Sequence, residues 1–240
     1  MNLNLLSLAR VPLLSKLPTE DIARLERSAE ERQIRGRHLV FLYEQKFEHV
    51  FLLVSGRIKL LRGSPGGREV TFGLVNPLDI FGETGLFSPA TTYPYSAEAI
   101  EESTIITFRR ADFECAVGNC PETLQQLYQA QARHRLAGEA RLTDFIFYDV
   151  TARLAKLLVS LAASYGRSTK TGTLLKIKVT HQELANLIGS TRETTTLILS
   201  EFRRRGLIDF AGRKIVVIEP EQLSEVEGAS YLHRTVHHVD

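Results

Sequence analysis

The stretch Val179-Thr180-His181-Gln182-Glu183-Leu184-Ala185-Asn186-Leu187-Ile188-Gly189-Ser190-Thr191-Arg192-Glu193-Thr194 decides the fold. Thr180 and Glu183 stand three apart, the spacing of a capping box in which each side chain satisfies an orphan amide of a first helical turn. Leu184, Ala185, Leu187 and Ile188 fall on one helical face and predict its buried stripe. Gly189-Ser190 predicts a turn, and Thr191–Arg205 a second helix closed by Gly206. Beyond it, Leu207–Phe210 and Ile215–Ile218 flank Ala211-Gly212-Arg213-Lys214, which reads as a hairpin with a glycine-containing turn. Helix, turn, helix and hairpin make a winged helix-turn-helix.

The second helix has two faces. Ile198, Leu199 and Phe202 can pack inward, whereas Arg192, Glu193 and Thr196 share an outward face near its N-terminus. In helix-turn-helix proteins those positions meet base edges in the major groove. Arginine donates two bonds to guanine O6 and N7, and glutamate accepts from cytosine N4. Gln182, Ser190 and Thr191 stand where amide, hydroxyl and helix-end N–H groups reach phosphates. Thr180, His181 and Lys214 complete the expected DNA-facing set, and Arg203, Arg204, Arg205 and Arg213 add charge. Residues 151–218 carry 12 Lys/Arg against 4 Asp/Glu, a net +8, inside a chain whose total is +2. Such a localised excess is the footprint of a polyanion partner. The plainer alternative is a helical hairpin with Arg192 and Glu193 as a surface pair.

Working outward, Ala152–Ser164 reads as a helix, 165–172 as a polar loop and Leu174–Val179 as a short strand. Residues 122–148 are almost free of glycine and proline and read as one long helix. Leu124, Leu127, Tyr128, Leu136, Leu142, Phe145 and Ile146 can line a seam toward a twin helix. Gln131, Arg135 and Gly138 make the middle of that seam polar, where a ligand or buried charge could sit. Packing against the protein's own β-domain is the alternative. Further upstream, Leu39–Tyr43, Val50–Val54, Arg57–Leu61, Glu69–Val75, Ser96–Ala99 and Thr104–Phe108 are short apolar runs broken by glycine, proline and asparagine. They predict a β-sandwich or barrel. Leu3–Glu31 reads as helical.

The 240 residues are 43% hydrophobic and 24% charged, ordinary for a globular protein with a real core. No run approaches ~18 apolar residues, which excludes a membrane-spanning helix. The first thirty residues hold no basic start, apolar run and small-residue cleavage site, so the expectation is a cytoplasmic protein. Cys115 and Cys120 are too few for a disulfide framework or an iron–sulfur cluster.

The Val179–Thr194 run closely resembles the DNA-binding signature of the CRP/FNR (cyclic-AMP receptor/fumarate-nitrate regulator) superfamily. Its His181-Gln182 and Gly189-Ser190-Thr191-Arg192 elements look like the cyanobacterial nitrogen-control branch. Phe51–Leu60, Gly66-Gly67-Arg68-Glu69-Val70, Asp79-Ile80-Phe81-Gly82-Glu83, Pro121 and Asp149–Leu154 extend the resemblance. It implies an α+β fold. An effector-sensing, cyclic-nucleotide-binding-like β-jelly roll would occupy 1–120, a dimerisation helix 121–149, a winged helix-turn-helix 150–220 and a tail 221–240. It implies a homodimeric transcription regulator, an activator, on a near-palindromic operator, recruiting or blocking RNA polymerase, and not an enzyme. The dimer contacts would be Leu124, Leu127, Gln131, Arg135, Gly138, Leu142 and Phe145.

Three departures qualify what the resemblance implies. Family members reading TGTGA half-sites carry a second arginine where this chain has Leu197, which offers only apolar contact, for example to a thymine methyl. In the cyclic-AMP branch an Arg-Ser-Ala run holds the phosphate; here Ser96 and Ala97 match but Tyr95 replaces the arginine. Gly138 and Glu139 replace the adenine-contacting Thr-Ser pair. The implied effector is therefore a small molecule other than cyclic AMP, at Gly82, Glu83, Tyr95, Ser96, Arg135 and Glu139. Glu83 reads equally as a structural carboxylate capping backbone amides. For 2-oxoglutarate, Glu139 matches the nitrogen-control pattern but His134 stands in the arginine position. For haem, His38, His49, His134 and Cys115 exist without a motif that singles one out, so no cofactor is assigned. His233, His237 and His238 lack a partner at zinc spacing. A cupin-type enzyme would need converging histidines, and no His-x-His occurs; a ligand module with a protein partner is the other alternative.

Overall fold

The computed structural model describes residues 8–64, 66, 69–177 and 179–226. Leu3–Ser7, Gly67, Arg68 and the tail histidines His233, His237 and His238 lie outside the described residues. The chain forms two compact units, 1–137 and 138–240.

The N-terminal unit holds α1 (Thr19–Ser28), β1 (Glu30–Ile34), β2 (Leu39–Phe41), β3 (His49–Ser55), β4 (Ile58–Gly63), β5 (Glu69–Val75), β6 (Ile80–Phe81), β7 (Ser96–Ala99), β8 (Ser103–Arg109), α2 (Arg110–Gly118) and the first half of α3 (Pro121–Phe147). The strands form two four-stranded antiparallel sheets, ordered β1-β8-β3-β6 and β2-β7-β4-β5. Phe41, Ile58 and Ala97 from one sheet and Val50, Phe51 and Ile105 from the other enter one core. Aromatic rings fill its end, with Phe41 stacked on Tyr93 at 3.9 Å and Phe51 on Phe81 at 5.2 Å.

Of the helical stretch expected over Leu3–Glu31, the structure shows short 3-10 turns at Leu8–Arg10 and Pro12–Leu14 and then α1, which stops at Ser28 because Glu30 begins β1. That strand pairs with β8 from Glu30↔Thr107 to Ile34↔Ser103 at a sheet edge and buries only Ile34. An edge strand held by its backbone ladder needs no apolar alternation, so its polar sequence concealed it. Helix α2 was also not anticipated; it buries Phe113, Ala116 and Val117.

The C-terminal unit continues α3 and adds α4 (Val150–Tyr165), β9 (Gly166–Thr169), β10 (Gly172–Leu175), α5 (His181–Ile188), α6 (Arg192–Arg204), β11 (Ile208–Ala211), β12 (Lys214–Val217) and α7 (Pro220–Ser224). Its sheet runs β11-β12-β10-β9. The segment expected as a polar loop followed by a strand is instead the β9–β10 hairpin. Gly172 makes this possible: at φ +136° its absent Cβ would sit 2.3 Å from the Val217 carbonyl oxygen. Leu154, Leu158, Leu184, Leu199, Phe202 and Val217 form the core. Among the described residues no helix is long and apolar enough to cross a membrane.

Candidate functional site

The α5–turn–α6 element is built by local chemistry. The Thr180 hydroxyl accepts from the Glu183 amide at 3.2 Å, and the Glu183 carboxylate accepts from the Thr180 amide at 2.6 Å. Gly189 takes the left-handed conformation at φ +63° and reverses the chain. Thr191 then caps α6 by accepting from the Thr194 amide at 3.2 Å. Leu199 and Phe202 anchor α6 in the core and leave Thr191, Arg192, Glu193 and Leu197 exposed on its outer face. The Arg153 guanidinium donates to the Ile188 carbonyl at 3.1 Å and the Tyr148 carbonyl at 2.8 Å, fixing the end of α5. Sequence reading missed this role, because nothing local marks an arginine whose partners are distant carbonyls.

Thr196 behaves differently from its neighbours. It donates to the Arg192 carbonyl at 2.8 Å, so its oxygen accepts from His181 Nδ1–H at 2.8 Å. The side chain is a strut between α5 and α6 rather than a free donor. Gln182 donates to Asn186 Oδ1 at 2.8 Å, and Ser190 and Lys214 are half-buried. Two of the three arginines ending α6 are engaged locally, Arg203 with Asp209 at 3.1 Å and Arg204 with Glu201 at 2.8 Å. Their charge is partly neutralised, while Arg205 and Arg213 are exposed.

In the N-terminal unit, Gly82 at φ +74° turns the chain so that Glu83 points inward and is 6% exposed. Its Oε1 accepts from Gln131 Nε2 of α3 at 2.7 Å, with His134 Nδ1 at 4.0 Å. Its Oε2 is buried with no hydrogen-bond partner in the structure. Burial pushes the carboxyl up to about 7; Asp79 adds to the rise, and backbone and Gln131 donors oppose it. Tyr95 shares a 2.8 Å hydrogen bond with Thr84, and burial, then the nearby Glu83, push its phenol up. Ser96 accepts from the Tyr43 amide at 2.8 Å. Arg135 is exposed on α3, and Glu139 belongs to the C-terminal unit.

Two residues expected on the twin-facing seam face their own barrel. Leu127 is 5% exposed and joins the barrel core, and Gln131 holds Glu83. Both follow from the same physics: the first half of α3 has an apolar barrel to cover. Phe145 is partly covered by Gly189, whose absent Cβ would meet its ring at 2.6 Å, and by the Arg153 guanidinium 4.8 Å from its centroid. Tyr128, Leu136, Leu142 and Ile146 remain exposed, and Gly138 faces open space. Among the described residues no three His, Cys, Asp or Glu side chains gather to hold a metal. Cys115 is exposed and Cys120 buried.

A β-sandwich, a long helix and a winged helix-turn-helix with an exposed Arg-Glu pair define a DNA-binding transcription regulator. Comparison with known proteins agrees. Residues 31–118 match the cyclic nucleotide-binding domain model and residues 152–226 the Crp-like helix-turn-helix domain model. The chain is 31% identical over 219 residues to the CRP-like cAMP-activated global transcriptional regulator of Mycobacterium tuberculosis, covering 90% of this chain and 96% of that one. It is 28% identical to the global nitrogen regulator of Synechococcus elongatus, covering 78% and 84%. A CRP-family transcriptional regulator from Thermus thermophilus superposes with a TM-score of 0.67 at 25% identity, covering 80% and 94%. FixK2 from Bradyrhizobium japonicum shares the fold, with a TM-score of 0.73 at 20% identity over 84% and 98%. The chain belongs to the CRP/FNR family of transcription regulators, which are not enzymes.

Proposed function

We propose that this regulator is a homodimer that reads a near-palindromic operator through α6, with the N-terminal unit sensing an effector other than cyclic AMP. The division of labour follows 1–120 for sensing, 121–149 for dimerisation and 150–220 for DNA binding. The observation that carries the reading is the exposed Arg192-Glu193 pair on a helix locked by Leu199 and Phe202. Thr180, His181, Gln182, Ser190, Thr191 and Lys214 supply DNA-backbone contacts in this reading, and Thr196 positions α6 through His181 of α5. Binding to duplexes selected from random sequence tests it. Arg192→Ala is expected to cost about 1–3 kcal/mol per half-site and to relax one base position. Equal binding of all sequences, unchanged by that substitution, would sink the proposal.

Dimerisation is supported by the apolar side chains that α3 leaves uncovered. Leu142 is 64% exposed and Ile146 67%, an i,i+4 pair on one helical face. Replacing both by Glu is expected to halve the mass measured by sedimentation equilibrium and to abolish operator binding with it. An unchanged dimer mass would move the interface elsewhere.

For the effector, the half-buried Tyr95 stands where a phosphate would need a cation, which supports a ligand other than a cyclic nucleotide held by its phosphate. The polar set Glu83, Tyr95, Ser96 and Arg135 suits a hydrogen-bonding metabolite, 2-oxoglutarate being the alternative that Glu139 favours. Output through RNA polymerase, by recruitment or exclusion, completes the proposed mechanism. A ligand shifts the recognition helices only through unequal affinity for their two arrangements.

A further inference from the structure

We propose that Arg110 is a positioning residue of the effector site, holding the 84–95 loop closed over Glu83 by gathering three of its backbone carbonyls onto one guanidinium. This rests on the reading of Glu83 and Tyr95 as part of an effector site and deepens it by naming the group that sets their geometry.

The two site residues stand at opposite ends of one connection between β6 and β7. Glu83 and Thr84 begin it, Tyr95 ends it, and the 2.8 Å Thr84–Tyr95 hydrogen bond ties the ends together. Residues 84–91 run through turns and coil with no ladder of their own, so their carbonyls need partners from elsewhere.

Arg110, the first residue of α2, supplies them. Its guanidinium donates to the carbonyls of Ala90 at 2.8 Å, Ser88 at 3.1 Å and Gly85 at 3.3 Å, and lies 4.4 Å from the centroid of the Phe47 ring. Glu114, one turn along α2, accepts from Arg110 Nε at 3.0 Å and from the Phe87 amide at 3.1 Å. It thereby holds Phe87 at φ +55°, a left-handed conformation that a non-glycine residue keeps only when its surroundings impose it. Gly85 fits against Phe47 because it lacks a side chain; a Cβ there would stand 2.7 Å from the ring. On the far side, the Phe47 amide donates to the Thr91 carbonyl at 2.8 Å and the Tyr93 amide to the Gln45 carbonyl at 2.9 Å. The loop is pinned from both sides, and it departs from a buried carboxylate whose Oε2 has no partner in the structure. Releasing the Arg110 side admits water to that carboxylate.

The test reads Glu83 itself, by 13C NMR of the full-length protein labelled at its glutamate carboxyl carbons. The signal is assigned by its absence from Glu83→Gln. Glu83 faces Asp79 from its own turn, Tyr95 from the loop and His134 from α3, and none of these is altered. In the wild type the carboxyl should titrate at about 7, as its burial requires. Arg110→Met should bring it down by about one pH unit or more, toward the 4.5 of a solvated glutamate. The sign separates positioning from charge, because losing a cation alone would push a carboxyl up. Arg110→Lys keeps the charge but not the planar fork, and should shift the carboxyl in the same direction. Val117→Ala removes packing from the same core and should leave it at about 7. If Arg110→Met does not fold, Glu114→Ala, which frees the Phe87 amide, should give the downward shift. A carboxyl that stays put or rises in the Arg110 and Glu114 variants overturns the inference and leaves the effector reading standing. A wild-type value at 4.5 is a different result; it removes the effector site built on Glu83 and this inference with it.

Discussion

Phe202→Ala is expected to destabilise the C-terminal unit by about 3–5 kcal/mol, the cost of emptying a phenylalanine site in a closed core. Phe202 is fully buried, and its neighbours in the cluster come from α4, α5, the wing and α7. No single element can collapse into the space it would vacate, which puts the cost at the high end of large-to-small changes. A domain has only about 5–15 kcal/mol in total, so much of the stability of this unit would go. The measurement is urea unfolding followed separately for each unit, because a chain with two cores need not unfold in one transition. Operator binding should fall in parallel, since the same helix carries Arg192. Arg192→Ala makes the contrast, losing operator affinity without a change in unfolding. A cost below about 1 kcal/mol for Phe202→Ala would mean that α6 is not anchored as described.

This pairing explains why the helix-turn-helix was legible in the sequence. Thr180, Glu183, Gly189 and Thr191 each act within four residues of themselves, and the structure shows their caps and turn in place. The apolar stripe Leu184, Leu187 and Ile188 repeats at helical spacing and is buried. What escaped was held by distant partners. Strand β1 is polar and depends on β8, whose paired residues lie 69 to 77 positions away. The β9–β10 hairpin depends on the room Gly172 leaves for Val217. On α3 the helix was evident, but which half faces what was not. Leu127 and Leu142 look alike in sequence, and only the barrel decides that the first is buried while the second is exposed. Glu83 stands out in the sequence, yet nothing there shows that Gln131, expected in the polar middle of the dimer seam, is its partner.

Glu83 gives the second large effect. Its carboxyl sits near 7 when folded, against 4.5 in an unfolded chain. Below 4.5 both states hold the proton, and the group contributes nothing to the pH dependence. Between the two values the folded state keeps a proton that the unfolded state releases, so stability falls as pH rises. Above about 7 the loss is complete, and it amounts to about 3 kcal/mol on the scale of 1.36 kcal/mol per pH unit. The N-terminal unit should therefore be more stable at pH 5 than at pH 8 by that order. Glu83→Gln keeps the size and polarity, cannot ionise, and should remove this component, leaving the variant more stable than the wild type at pH 8. Gln131→Leu should extend the loss to higher pH, since it removes the 2.7 Å donor that favours ionisation. Parallel pH profiles for the wild type and Glu83→Gln would show that the buried carboxylate carries no such penalty. Under the proposed effector-sensing role, the same balance would bear on ligand binding. A ligand that donates a hydrogen bond to Oε2 would return the carboxyl to its ionised form, so binding near pH 6 should release a proton and relieve part of the burial cost.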